Sequence, residues 1–92
     1  MNDRMVKLGT FQADGRSVSV NMRDDVATTA WLVVQMSNVD NSDLGTIKRL
    51  DLDEPELVIF QRHQDWCKDP WTRWHITRQA RDLYRRAGGT GD

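Results

Sequence analysis

With 92 residues, of which 38% are apolar and 29% charged, the chain has enough material for one small core, and it is read as a single domain over 1–92. A formal charge of −1 excludes both a wholly basic nucleic-acid coat and an acidic DNA mimic. One cysteine, Cys67, excludes an internal disulfide and suits a reducing, cytoplasmic compartment.

No apolar run approaches the ~20 residues that span a bilayer, and MNDRMVKLGT lacks the apolar stretch of a signal peptide, so no membrane is expected as a partner. Residues 1–4 are expected to fray. Met5 to Gln12 and Ser17 to Met22 read as strands, the second with Val18, Val20 and Met22 alternating against Ser17, Ser19 and Asn21. Asp14-Gly15 between them predicts a type I′ turn. That register sets Phe11 opposite Val18 and Gly9 opposite Val20.

Asp24 to Ser37 reads as a helix, on its length, its Asp24 cap and a stripe of Val26, Ala27, Ala30, Trp31 and Val34. TAWLVVQM within it is also rich in the β-branched residues of a buried strand. Asn38 to Gly45 has loop composition. Its Asp40, Asn41 and Asp43 resemble a fragment of a calcium loop, but the glutamate at position twelve is missing. Thr46 to Leu52 reads as a short strand. Asp53, Pro55 and Glu56 then have the spacing of a helix start, and the helix would run to about Cys67 with Leu57, Ile59, Phe60, His63 and Trp66 on one face. Val58 misfits that face, and a strand over Leu57 to Arg62 is the alternative.

Asp69 to Ala87 carries the most concordant signals. Asp69 is an N-cap, Pro70 sits at the first helical position, and Gly88 and Gly89 can end the helix. Arg85 and Arg86 suit the negative end of the helix dipole. At about 100° per residue, Ile76, Ala80, Leu83 and Ala87 form a core stripe with Tyr84 at its edge. Trp74, Arg78, Arg81 and Arg85 fall on the opposite side, with Trp71 beside them. Residues 88–92 are a second frayed tail. The expected fold is therefore α+β: an N-terminal β-hairpin packed with two or three helices, ending in a long amphipathic helix.

His63 and Cys67 share a helix face, but zinc requires three or four converging ligands, and one cysteine without a C-x-x-C pair does not supply them. A thiol nucleophile would need a paired base and an oxyanion hole, and no local signature surrounds Cys67. No phosphate-binding glycine loop occurs. Neither a cofactor, a metal nor an enzymatic activity is expected.

What remains is aromatic residues interleaved with cations. Three of the four tryptophans, Trp66, Trp71 and Trp74, fall close together among Arg62, Lys68, Arg73, Arg78, Arg81 and Arg85. Such a surface binds proteins, where Trp and Arg dominate the energetics, or single-stranded nucleic acid, where bases stack on the aromatic plates. The candidate contact residues are Trp71, Trp74, Arg78, Arg81 and Arg85, with Arg62 and Lys68. Residues 1–60 carry six Lys/Arg against ten Asp/Glu, and residues 61–86 seven against three. That two-ended charge suits a partner with its own charge pattern, or a homodimer.

In size and residue texture the chain resembles the small accessory proteins of phages and mobile elements that act by binding a host machine. The resemblance implies a non-enzymatic modulator or inhibitor of a larger protein assembly. Nucleic-acid binding by the same surface is the alternative, and a helix-turn-helix over residues 54–87 is its most specific form.

Overall fold

The computed structural model describes residues 5–23 and 28–87. The Asp24 cap, both expected frayed tails and the glycines after Ala87 lie outside them. Five strands follow one another along the chain: β1 (Met5–Ala13), β2 (Arg16–Arg23), β3 (Ala30–Gln35), β4 (Asn41–Lys48) and β5 (Glu56–Ile59). They form one antiparallel sheet in sequence order. A 3₁₀ turn over Gln61–His63 leads to the helix α1 (Pro70–Arg86).

The hairpin obeys local chemistry. Asp14 and Gly15 both take positive φ, 52° and 75°, as a type I′ turn requires. Phe11 pairs with Val18 and Gly9 with Val20. Helix α1 also starts as expected, with the Asp69 carboxylate accepting from the Thr72 N–H at 3.2 Å and Pro70 in the first turn.

The expectation of two or three helices on a hairpin is overturned: among the described residues α1 is the one α-helix, and the hairpin extends into a five-stranded sheet. Over residues 30–35 the period-two pattern wins. Ala30, Leu32 and Val34 are fully buried, while Trp31 and Val33 face the other side. The span from Asp53 to Cys67 is β5 followed by the 3₁₀ turn. Val58, the misfit of the helical reading, is the outward residue of the strand at 40% exposure, between Leu57 and the buried Ile59. Both segments find a ladder partner in β4, which no local helix signal could outweigh. β4 itself begins inside the expected loop, with an irregularity at Leu44, and ends at Lys48, before Arg49 takes a left-handed φ of 59°. The helix-turn-helix form loses its first helix.

One sheet face carries the core. Val18, Val20, Leu32, Val34, Ile47 and Ile59 meet Ile76, Ala80 and Tyr84 of α1, with Leu83 partly buried against them. Ala87, expected in the same stripe, is exposed. The other face presents Thr10, Gln12, Ser17 and Ser19, cross-linked by Thr10–Ser19 and Gln12–Ser17 hydrogen bonds of 3.3 and 2.8 Å. Among the described residues no helix is long and apolar enough to cross a membrane.

Candidate functional site

The first half of α1 is held to the hairpin. His75 Nε2 lies 2.8 Å from the Gln12 carbonyl, which can only accept, so Nε2 carries the proton and donates. The His75 ring also meets Phe11 edge to face at 5.9 Å. At about 100° per residue, Trp71, Trp74 and Arg78 lie on the side of α1 opposite the buried Ile76, Ala80 and Tyr84, and all three are exposed.

Trp71 is 72% exposed and Trp74 51% exposed. Their rings meet edge to face, with centroids 5.4 Å apart and planes at 89°. The Arg78 guanidinium lies 5.0 Å from the Trp74 ring centroid. Pro70, Trp71 and Trp74 line a shallow apolar concavity of about 320 Å³. Trp71, Trp74 and Arg78 are therefore one preassembled surface cluster.

Beside it runs a larger groove of about 590 Å³ between the Asp53–Leu57 segment and α1. The helix wall supplies Arg73, Trp74, Arg78, Arg81 and Arg85, with Asp82 among them. The opposite wall supplies Asp53, Glu54, Pro55 and Leu57. Arg81 spans the two walls: Nη2 donates to Asp53 Oδ1 at 2.9 Å and Nη1 to the Asp53 carbonyl at 3.3 Å. Its side chain is only 21% exposed, and its buried Nε has no hydrogen-bond partner. Of the seven candidate contact residues, Trp71, Trp74, Arg78 and Arg85 are thus exposed along one side of the helix, and Arg81 ties that side to the sheet. Arg62 stands elsewhere, its Nη1 3.4 Å from Ser42 Oγ, and Lys68 is exposed just before the N-cap. The Asp53–Leu57 wall was missed because Asp53 and Glu56 read as a helix start.

A second constellation centres on His63, which is 3% exposed. Its Nδ1 lies 3.1 Å from Trp66 Nε1 and its Nε2 2.8 Å from Ser42 Oγ. An indole N–H only donates, so Nδ1 must be the lone-pair nitrogen and Nε2 must carry the proton. His63 therefore donates to Ser42, the reverse of a general base drawing a proton from a nucleophile. Arg62 donates to the same hydroxyl oxygen. Burial lowers the His63 pKa below its usual value, and the positive charges of Arg62 and Arg16 lower it further. The Arg16 guanidinium sits 4.4 Å from the Trp66 ring centroid. The arrangement is a satisfied polar network on the flank of the core.

Cys67 is fully buried, and that burial pushes its thiol pKa up, away from the thiolate a nucleophile needs. Among the described residues no three His, Cys, Asp or Glu side chains gather as metal ligands would. Comparison of the chain with family models, with curated proteins and with solved structures finds no match.

Proposed function

We propose that this chain is a small non-enzymatic binding protein that modulates or inhibits a larger protein assembly in the cytoplasm. The contact surface in this reading is Trp71, Trp74 and Arg78, with Arg85 and the groove beside them. The observation that carries the reading is the exposed edge-to-face tryptophan pair with Arg78 against Trp74. A tryptophan offers on the order of 200 Å² to bury, with few rotamers to lose. At about 25 cal/mol per Å², covering most of each ring contributes a few kcal/mol, the size of an interface hot spot. The cluster is already assembled, so little ordering cost remains to be met on binding.

Nucleic-acid binding is the second reading, favoured by the stacking plates and by Arg73, Arg78 and Arg85. The four arginines of the same groove stand against Asp53, Glu54 and Asp82, a net charge of only +1, which suits a few spaced carboxylates better than the continuous charge of a phosphate backbone and favours protein over nucleic acid in this reading.

The test is affinity capture with the tagged chain, with and without nuclease, comparing wild type with Trp71→Ala and Arg78→Glu. Proteins retained after nuclease and lost in both variants support the reading. Nucleic acid in the eluate, with proteins lost after nuclease, transfers it to the second.

A further inference from the structure

β5 ends the sheet, so one of its sides has no neighbouring strand among the described residues. Ladder parity tells which main-chain groups face that side. The Phe60 N–H donates to the Leu44 carbonyl at 2.9 Å, and the pairs Gly45↔Ile59 to Lys48↔Glu56 continue the same register. Opposed residues in an antiparallel ladder alternate between bonded and non-bonded pairs. Glu56 and Val58 therefore bond to β4, whereas Leu57 and Ile59 turn their main-chain N–H and C=O outward. The Ile59 carbonyl already accepts from the Gln64 side-chain amide at 3.0 Å. Leu57 keeps an outward N–H and C=O, and Leu57 lines the groove opposite α1.

Across that groove stand Arg73, Arg78, Arg81 and Arg85. Among the described residues, Arg81 alone of the four has a carboxylate partner, Asp53. The groove thus combines a strand edge, three arginines without a carboxylate, and Trp74 at one end. Asp82 and Glu54 set a local negative charge against them, so the arginines outnumber the unpaired acids. A basic segment would meet four guanidinium groups.

We infer that the groove takes an extended acidic segment of a partner protein, added beside β5 as a further strand. Its main chain bonds to the Leu57 N–H and C=O, and its carboxylates meet Arg78 and Arg85. Because strand side chains alternate, acidic residues at every second position face the arginines. The inference rests on the binding-protein reading and names the chemistry of the partner.

The test uses three labelled peptides and fluorescence anisotropy: alternating Glu and Val, alternating Lys and Val, and the Glu–Val peptide N-methylated at alternate residues. The Glu–Val peptide is expected to bind, and the Lys–Val peptide to bind at least about tenfold more weakly. N-methylation removes donors and blocks one strand edge, so it should weaken binding by about tenfold. Arg85→Glu and Arg78→Glu, each checked for unchanged thermal unfolding, should each weaken Glu–Val binding by about tenfold. Equal binding of the Lys–Val or the N-methylated peptide overturns the inference, as does no binding at about millimolar Glu–Val peptide. Tighter binding of an oligonucleotide than of any peptide overturns it too. A failed peptide test together with Trp71-dependent capture leaves the binding-protein reading standing without strand addition. Capture that is unchanged in Trp71→Ala removes that reading itself.

Discussion

Trp66 and Trp74 are eight positions apart, and each lies against an arginine, yet the two surroundings do opposite things. Trp66 packs against the core, gives its indole N–H to His63 and takes Arg16 over its ring. Trp74 is half exposed, meets Trp71 and Arg78 on the helix surface, and borders an open groove. An aromatic beside a cation is therefore not by itself a binding signal. What separates the two clusters is supply: β4 and the hairpin bring Ser42 and Arg16 to the first, while the ring contacts of the second, among the described residues, are made within α1. The exposed cluster is the one that the proposed function assigns to another molecule.

The contrast breaks most sharply under truncation. Trp66→Ala should cost about 3 kcal/mol in urea unfolding, because it leaves a void and orphans His63 Nδ1. A loss below about 0.5 kcal/mol, the range of an ordinary surface change, would put Trp66 in the same class as Trp71. Next is Arg81→Ala, expected to cost about 1 kcal/mol. Much of that comes from the lost packing of its stem, since Asp53 is almost fully exposed and the ion pair is screened. A full loss at high salt as well as low would confirm that packing dominates.

A smaller effect is a pH slope. The folded pKa of His63 lies below its unfolded value, so the unfolded chain takes up the proton first as pH falls. The stabilisation is present above pH about 6.5 and is lost as pH drops through the lowered folded value. A proton on Nδ1 would confront the Trp66 N–H, with Arg62 and Arg16 adding repulsion. Urea midpoints from neutral to mildly acidic pH should fall for the wild type and less for His63→Phe; parallel curves would remove His63 as the cause. The smallest effect is expected of Trp71→Ala and Arg78→Ala, within about 0.5 kcal/mol of wild type in stability, while partner capture is lost. A large stability loss there would make the surface cluster structural.

The candidate site was legible where its parts lie within a few residues of one another. Asp69, Pro70 and the spacing of Ile76, Ala80 and Tyr84 specify where α1 starts and which side it buries, and so place Trp71, Trp74, Arg78 and Arg85 outside. The inward turn of Arg81 was not legible, because its partner Asp53 is 28 residues away and read as a cap. The Ser42–His63 bond, spanning 21 residues, was equally out of reach.

By itself, the sequence determined the first hairpin and the last helix. Asp14-Gly15 imposes its turn, and Asp69-Pro70 its helix start, through contacts within a few residues. The middle of the chain was decided only by the tertiary structure. Residues 30–35 and 56–59 carry apolar spacings that serve a helix or a strand, and isolated strands have no internal hydrogen bonds to settle the choice. Pairing decides it: β3 lies between β2 and β4, and β5 lies along β4. Gly45 shows how close that pairing is, since a Cβ there would run into the Val58 carbonyl oxygen. The groove beside the tryptophan pair lies between these two parts, one wall from the locally specified helix and the other from the segment that leads into a strand that exists because its neighbour does.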